Sequence, residues 1–178
     1  MKRLISAGFI VVACKASGTP SAPPGQSTST LGVTSTSFAA DSPIGVVYTC
    51  DGKDTEPQLA WTTPPDATKA FAIIVDDPDA PSGTFTHLVA FDLDASARSL
   101  AEGANATSAN GVLGTNDFGK IGYNGPCPPK SQVHHYRFTV YATDGKLGLA
   151  AGASRADLDG ALAHHVLAQG TLVGTFSH

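Results

Sequence analysis

Two stretches hold most of the side chains with chemistry to offer. Asp76–His87 (DDPDAPSGTFTH) sets Asp76, Asp77 and Asp79 beside two prolines and closes on a histidine. Gly119–Asp144 (GKIGYNGPCPPKSQVHHYRFTVYATD) runs from a Gly/Pro-rich loop into an alternating segment. There Tyr123, His134, His135 and Tyr136 stand near Pro126, Pro128 and Pro129. Carboxylates this close repel, and something must offset the repulsion. A hard cation would do so, since such ions take several oxygen ligands. So would backbone N–H groups that fix a loop, or the hydroxyl or ammonium group of a ligand. Solvated carboxylates in an Asp-Pro turn are the plain alternative. His87 and His134 near these acids have the ligand types for a metal, and equally the donors for a phosphate or carboxylate. On a strand, His134 and Tyr136 share a face and His135 points away. The pocket pair is therefore His134 with Tyr136. Asp77-Pro78 and Ala80-Pro81 stiffen the first loop, because each proline fixes its φ and restrains the residue before it.

No motif for nucleophilic catalysis or nucleotide binding accompanies these residues. G-x-S-x-G, H-E-x-x-H, a Walker loop and G-x-G-x-x-G are all missing. Cys127, between prolines, reads as structural or disulfide-bonded rather than as a nucleophile beside His134. His164 and His165 read as ordinary helix residues.

The elements that must position these side chains are mostly strands. Leu31–Phe38 alternates apolar and hydroxyl residues and reads as a first strand. Ile44–Thr49 reads as a second, followed by a turn at Asp51-Gly52. Gln58–Thr62 places Leu59 and Trp61 on one face, with Trp61 in the core. Ala70–Val75 (AFAIIV) reads as a strand buried on both faces, delivering Asp76 and Asp77 at its end. His87–Leu93 is another apolar strand, Asp94–Gly114 a polar surface loop, and His135–Thr143 an alternating strand. Ser154 and Asp157 form a capping box for a helix with Leu158, Leu162 and Val166 as its stripe and Gly170 as its stop. Thr171–Phe176 is a last strand. The pattern predicts a mostly β fold, a sandwich with peripheral helical elements.

Length and composition agree. A chain of 178 residues, 42% hydrophobic, with 19 Gly and 12 Pro, suits one turn-rich globular domain. Residues 1–13 read as an export signal: Lys2 and Arg3, a short apolar run, then Val11-Val12-Ala13-Cys14. A small residue directly before a cysteine resembles a bacterial lipobox, which makes Cys14 the candidate lipidation site. A plain secretory signal cut near Ala13 or Ser17, or a buried N-terminal strand, are the alternatives. Residues 14–30 are rich in Ser, Thr, Pro and Gly and read as a flexible linker. The domain then occupies 31–178. Losing Lys2 and Arg3 lowers 11 basic residues to 9 against 15 acidic ones, a net charge of −6. A mildly acidic chain without a basic stripe is a poor nucleic-acid binder. With Cys14 assigned to lipid, Cys50 and Cys127 remain. In an exported domain they would form either a disulfide or two separate buried thiols.

The motifs together resemble the phosphatidylethanolamine-binding protein family, in particular its bacterial, Raf-kinase-inhibitor-like branch. The resemblance rests on D-P-D-A-P at Asp77–Pro81 followed by His87, then G-Y-x-G-P-C-P-P at Gly122–Pro129 followed by H-x-Y at His134–Tyr136. CDGKDTEPQLAW at Cys50–Trp61 and HVLAQGTLVGTF at His165–Phe176 extend it to roughly Thr36–Phe176. It implies a β-sandwich with a small anion pocket at one end, without catalysis, cofactor or metal. By residue it implies a pocket of Asp77, Asp79, Pro81, His87, Tyr123, Gly125, Pro126, Pro128, His134 and Tyr136. His87 and His134 would donate to the anion. The chain departs from the family's pattern at Leu88, where Trp is frequent, and in the glycine-free spacer Lys130–Val133. His135 stands in place of Arg and Asp92 in place of Asn; both changes are expected to weaken anion binding or alter the ligand. The functional expectation is an exported, lipid-anchored binder of a small anionic or phosphorylated ligand, held at the membrane through its N-terminal lipid. The alternatives are an inhibitor or modulator of a protease or kinase, and a metal-assisted hydrolase using His87, His134 and an Asp.

Overall fold

The computed structural model describes residues 28–178; the leader, Cys14 and most of the expected linker lie outside the described residues. The strands are β1 (Ser29–Thr30), β2 (Val33–Thr34), β3 (Ser42–Pro43), β4 (Leu59–Trp61), β5 (Ala70–Asp77), β6 (Phe85–Asp94), β7 (Ser99–Leu100), β8 (Val112–Leu113) and β9 (His134–Thr143). The helix α1 (Arg155–Leu162) and the strand β10 (Val166–Phe176) follow. A seven-stranded sheet runs β1-β10-β9-β5-β6-β8 with β3 also on β10, and a small sheet runs β2-β4-β7. The expected mostly β sandwich is the fold observed.

The long strands are made by apolar runs, and alternation divides them between two cores. Phe71, Ile73 and Val75 of β5 join Tyr136, Phe138 and Val140 of β9 against the small sheet's Val33, Leu59, Trp61 and Leu100. Ala72 and Ile74 face the other way, with Val89 and Phe91, onto Leu158 and Leu162 of α1. Each such fully buried Phe, Ile or Leu contributes about 1.5–3 kcal/mol relative to exposure. Because β5 is sandwiched this way, its end splits two neighbouring acids. Asp77 continues the face of Val75. Asp76 continues the helix face, where Arg137 Nε and Arg155 Nη1 donate to it at 2.7 and 2.9 Å.

Several sequence expectations are corrected. The linker, expected to run to residue 30, ends before Ser29, since Ser29 and Thr30 already pair in parallel with Ala168 and Gln169. Leu31–Phe38 keeps a ladder only at Val33–Thr34. Beyond it the hydroxyl side chains bind Gln58 instead: Ser35 Oγ donates to its carbonyl and Ser37 Oγ accepts from its N–H, a local competition with strand pairing. Ile44–Thr49 holds one 3-10 turn, Val46–Tyr48, rather than a strand. Tertiary demands override its β propensity: Ile44 N–H is fixed to Thr175 O on β10, and the chain must turn so that Tyr48 enters the core. The supposed loop Asp94–Gly114 contains β7, a 3-10 turn and β8. The helix is capped by Ser154 and Asp157 as expected, but stops at Leu162. His164 takes a left-handed φ of 72°, and Val166 already pairs with Thr143. Gly170 lies inside β10, where a Cβ would stand 2.0 Å from the Leu31 carbonyl oxygen.

Candidate functional site

The pocket chemistry depends on an irregularity in β6. Val75 pairs with Leu88 and Asp76 with Thr86, so His87 is an extra residue, a β-bulge. A second shift lies near Asp92, which adopts φ 58°. Without the first bulge, strict alternation would turn His87 toward α1. With it, His87 joins the side of Leu88 and meets Tyr136 edge-on, ring centroids 5.3 Å apart. Bulges re-aim side chains in this way.

Around it lies a cavity of about 390 Å³ lined by Asp77, Phe85, His87, Phe118, Pro128 and His134, among others. Asp77 is buried. Its Oδ2 accepts from His134 Nδ1 at 2.7 Å and its Oδ1 from the Asp79 N–H at 2.8 Å. The pair is tight and dry, with both side chains almost wholly out of water. His134 Nε2 lies 3.1 Å from Gln132 Oε1. The spacer Lys130–Val133, where the chain departs from the family's pattern, therefore sets a side chain on the nitrogen expected to bind an anion.

His87 is oriented by two carbonyls. Its Nδ1 lies 2.7 Å from Asn124 O and 3.1 Å from Gly125 O; carbonyls only accept, so Nδ1 carries the proton. Burial lowers the pKa of His87 below its ordinary 6.5, which favours the neutral ring with a bare Nε2. The expectation that His87 donates to an anion is thus refined: it donates to the loop, and must gain a proton to donate elsewhere.

The remaining expected residues divide. Asp77, Pro81, His87, Pro128 and His134 line the cavity. Tyr136 lies behind them, fully buried. Among the described residues its hydroxyl has no hydrogen-bond partner; burial first, then the Asp77 charge, push its pKa upward. Asp79 does not line the cavity. It receives the His135 N–H at 2.8 Å and His135 Nδ1 at 2.7 Å in an exposed pair, and these bonds hold its pKa below the ordinary range. Tyr123, Gly125 and Pro126 form the loop behind the wall: Tyr123 donates to Tyr48 O, and Pro126 O accepts from Cys50 N–H. Asp92 stands at the far end of β6, five residues or roughly 16 Å from His87. There it accepts from the N–H groups of Leu147 and Gly148, so the effect on anion binding expected of it is withdrawn. Cys50 and Cys127 form a disulfide with Cα atoms 5.5 Å apart, which ties the cavity wall to the Cys50 loop. The Cys14 assignment lies outside the described residues.

Sequence reasoning missed Phe85 and Phe118. They pair edge-on at 4.8 Å, and Phe118 also meets His87 at 5.4 Å. Phe118 is held by Asn116, whose Oδ1 accepts from the Phe118 and Lys120 N–H groups. The signal available was Asn116-Asp117-Phe118-Gly119, a turn carrying one large apolar residue. A metal reading needs ligand atoms gathered together. Among the described residues the group that meets this is Cys50, Cys127 and His178, not His87, His134 and an Asp, and its two sulfurs are already bonded to each other.

Comparison with known proteins agrees with this geometry. The family model described as phosphatidylethanolamine-binding protein matches residues 34–177. An Aquifex aeolicus UPF0098 protein is 45% identical over 148 residues, covering 81% of this chain and 86% of that protein. A Mycobacterium tuberculosis protein named as a candidate lipoprotein, LppC, is 37% identical over 163 residues, covering 91% and 80%. A Chlamydia trachomatis structure, described as a homologue of the same family, superposes with a TM-score of 0.78 at 33% identity, over 85% of this chain and 99% of that one. Escherichia coli YbcL, described as a member of the mammalian family, gives 0.77 at 29% identity, over 83% and 98%. With a matched region spanning most of the chain, the same sandwich and the DPDAP and GYNGPCPP motifs meeting at one cavity, this chain belongs to the phosphatidylethanolamine-binding protein family.

Proposed function

We propose that the protein is an exported, lipid-anchored and non-catalytic member of this family that binds a small phosphate-bearing or otherwise anionic ligand in the Asp77–His87–His134 cavity. The observation that carries the reading is His134, buried, its Nδ1 fixed by Asp77 and its Nε2 turned to a displaceable Gln132 amide. An anion replacing that amide accepts from Nε2, while Asp77 keeps the ring oriented and offsets its charge. Phe85, Phe118 and the prolines then cover the apolar part of an organic anion. His87 adds a second donor once protonated, so anion binding draws a proton onto it. Export and lipidation at Cys14 rest on the leader pattern and on the lipoprotein name of a relative.

The test is titration of the 15N-labelled protein with inorganic phosphate and with phosphoethanolamine, at pH 7.5 and 5.5. Saturable shifts are expected at the amides of Asp77, Phe118 and Gln132. Binding should be tighter at pH 5.5, because the protonated form of His87 is the one the anion favours, and at least tenfold weaker in His134→Ala. Shifts that never saturate, or affinity unchanged by His134→Ala, would overturn the proposal.

A further inference from the structure

A second cleft, of about 330 Å³, lies on the other side of the Gly122–Cys127 loop. Asp54, Glu56, Asn105, Ile121 and Tyr123 are among its lining residues. Glu56 is only 7% exposed, yet its Oε1 is fully buried with no hydrogen-bond partner among the described residues. The groups nearest at hand are otherwise engaged. The Tyr123 hydroxyl donates to Tyr48 O and the Tyr48 hydroxyl to Glu102; Asn105 meets Thr107 through its Oδ1 acceptor, and its Nδ2 makes no bond to Glu56. Asp54 Oδ1 accepts from the Gly125 N–H and Oδ2 from Asn124 Nδ2, which leaves each oxygen capacity for another donor. Among the described residues no Lys, Arg or His lines this cleft.

A buried carboxylate with no donor is expensive. Burial pushes the Glu56 pKa up to about 8. Protonation removes the charge but still leaves Oε1 without a partner. A ligand carrying positive charge and N–H donors would satisfy both Glu56 and the spare capacity of Asp54. A hard metal ion fits less well. It needs several oxygens converging on one point, and Asp54 and Glu56 belong to no such group among the described residues.

We propose that this cleft is a second ligand site, taking a small organic ammonium ion with Glu56 as its buried counter-charge and Asp54 as its second acceptor. Leu113 and Ile121, the latter exposed at the rim, suit a short alkyl tail. The cleft's lining shares no residue with the anion cavity. The ammonium competes with a proton for Glu56, so binding strengthens as pH rises. Asp54 and Tyr123 in the cleft, with the Glu102–Tyr48 pair beside it, are the other titratable groups facing that change.

The experiment is titration of the full chain with n-butylammonium chloride, followed through the amides of Gly103, Asn105 and Gly122, with sodium chloride and calcium chloride as separate arms. The expected result is saturable shifts at pH 8.5, at least tenfold weaker at pH 6, where Glu56 holds its proton, and lost in Glu56→Gln. The pH arm on the unmutated chain keeps the test decisive even if the variant folds poorly. No saturable shift at pH 8.5, equal binding by Glu56→Gln, or tighter binding of calcium than of butylammonium would each overturn the assignment.

Discussion

Each of the two clefts flanking the Gly122–Cys127 loop buries a carboxyl group, and the two solve the cost differently. Asp77 receives the His134 ring and the Asp79 N–H, so its charge is met inside the protein. Glu56 Oε1 receives no donor among the described residues. Burial to a similar depth therefore says little about a carboxylate; the donors within reach decide whether it stays charged. One site is complete as folded and the other is left to a proton or a ligand. The largest test of this contrast is the pH dependence of stability in Glu56→Gln. The folded-state pKa of Glu56 is raised from its ordinary 4.5 to about 8. Between those values the folded chain holds a proton that the unfolded chain has lost, so stability falls as pH rises through the window and levels off above it. The whole gap corresponds to at most about 5 kcal/mol at ~1.4 kcal/mol per pH unit. Glu56→Gln should lack that fall. Urea denaturation at pH 5, 6.5 and 8 would show the variant gaining on the parent chain at each step; parallel curves would mean that Glu56 finds a partner.

The next effect joins the clefts. The Cys50–Cys127 bond spans 77 residues. It fixes the wall of the anion cavity through Cys127 and the start of the Asp54–Glu56 loop through Cys50. Loop-closure entropy for such a span sets a ceiling of about 4.5 kcal/mol, and the typical effect of a disulfide is about 2–4 kcal/mol; a loss in that range is expected in the Cys50→Ser/Cys127→Ser double variant, measured by chemical denaturation. Amide shifts should appear beside both clefts, at Phe118 as well as Gly103. A loss confined to one side would show that the loop is held there by its other bonds, those from Asp54 to Gly125 and Asn124.

Much of this was legible in sequence, and the misses have physical causes. The apolar run Ala70–Val75, the alternation of His134 and Tyr136 and the capping box at Ser154 report periodicities that the backbone must obey, and the structure follows them. The inward placement of His87 was legible from the motif but not from strand alternation, because it depends on a bulge, and one extra residue in β6 changes which face the side chains around it take. The 3-10 turn at Val46–Tyr48 was hidden by β-branched residues whose fate was set by β10, more than a hundred positions later. Asp79 and Tyr123 sit in the right motifs, but a motif gives proximity along the chain, not which side of a loop wall a side chain occupies. Glu56 drew no notice at all, since the absence of a partner is a property of three-dimensional surroundings.

The smallest expected effect concerns His135, where the family's pattern has Arg. Counting charges suggests that a missing cation weakens anion binding. The geometry suggests otherwise. His135 alternates away from His134, and its ring spends its hydrogen bond on Asp79 in a pair whose side chains are 54% and 40% exposed. Exposed pairs of this kind contribute about 0–1 kcal/mol and are screened by salt. An arginine at that position would be held by the same Asp79 carboxylate, outside the Asp77–His134 cavity. His135→Arg should therefore change phosphate affinity by less than about twofold at 0.15 M salt, where charges beyond about 8 Å are largely screened. It should leave the Asp77 and Phe118 amide shifts in place. A tenfold gain in affinity would mean that the rim reaches the ligand after all, and that the contrast between the clefts must include the charge outside their walls as well as the donors within.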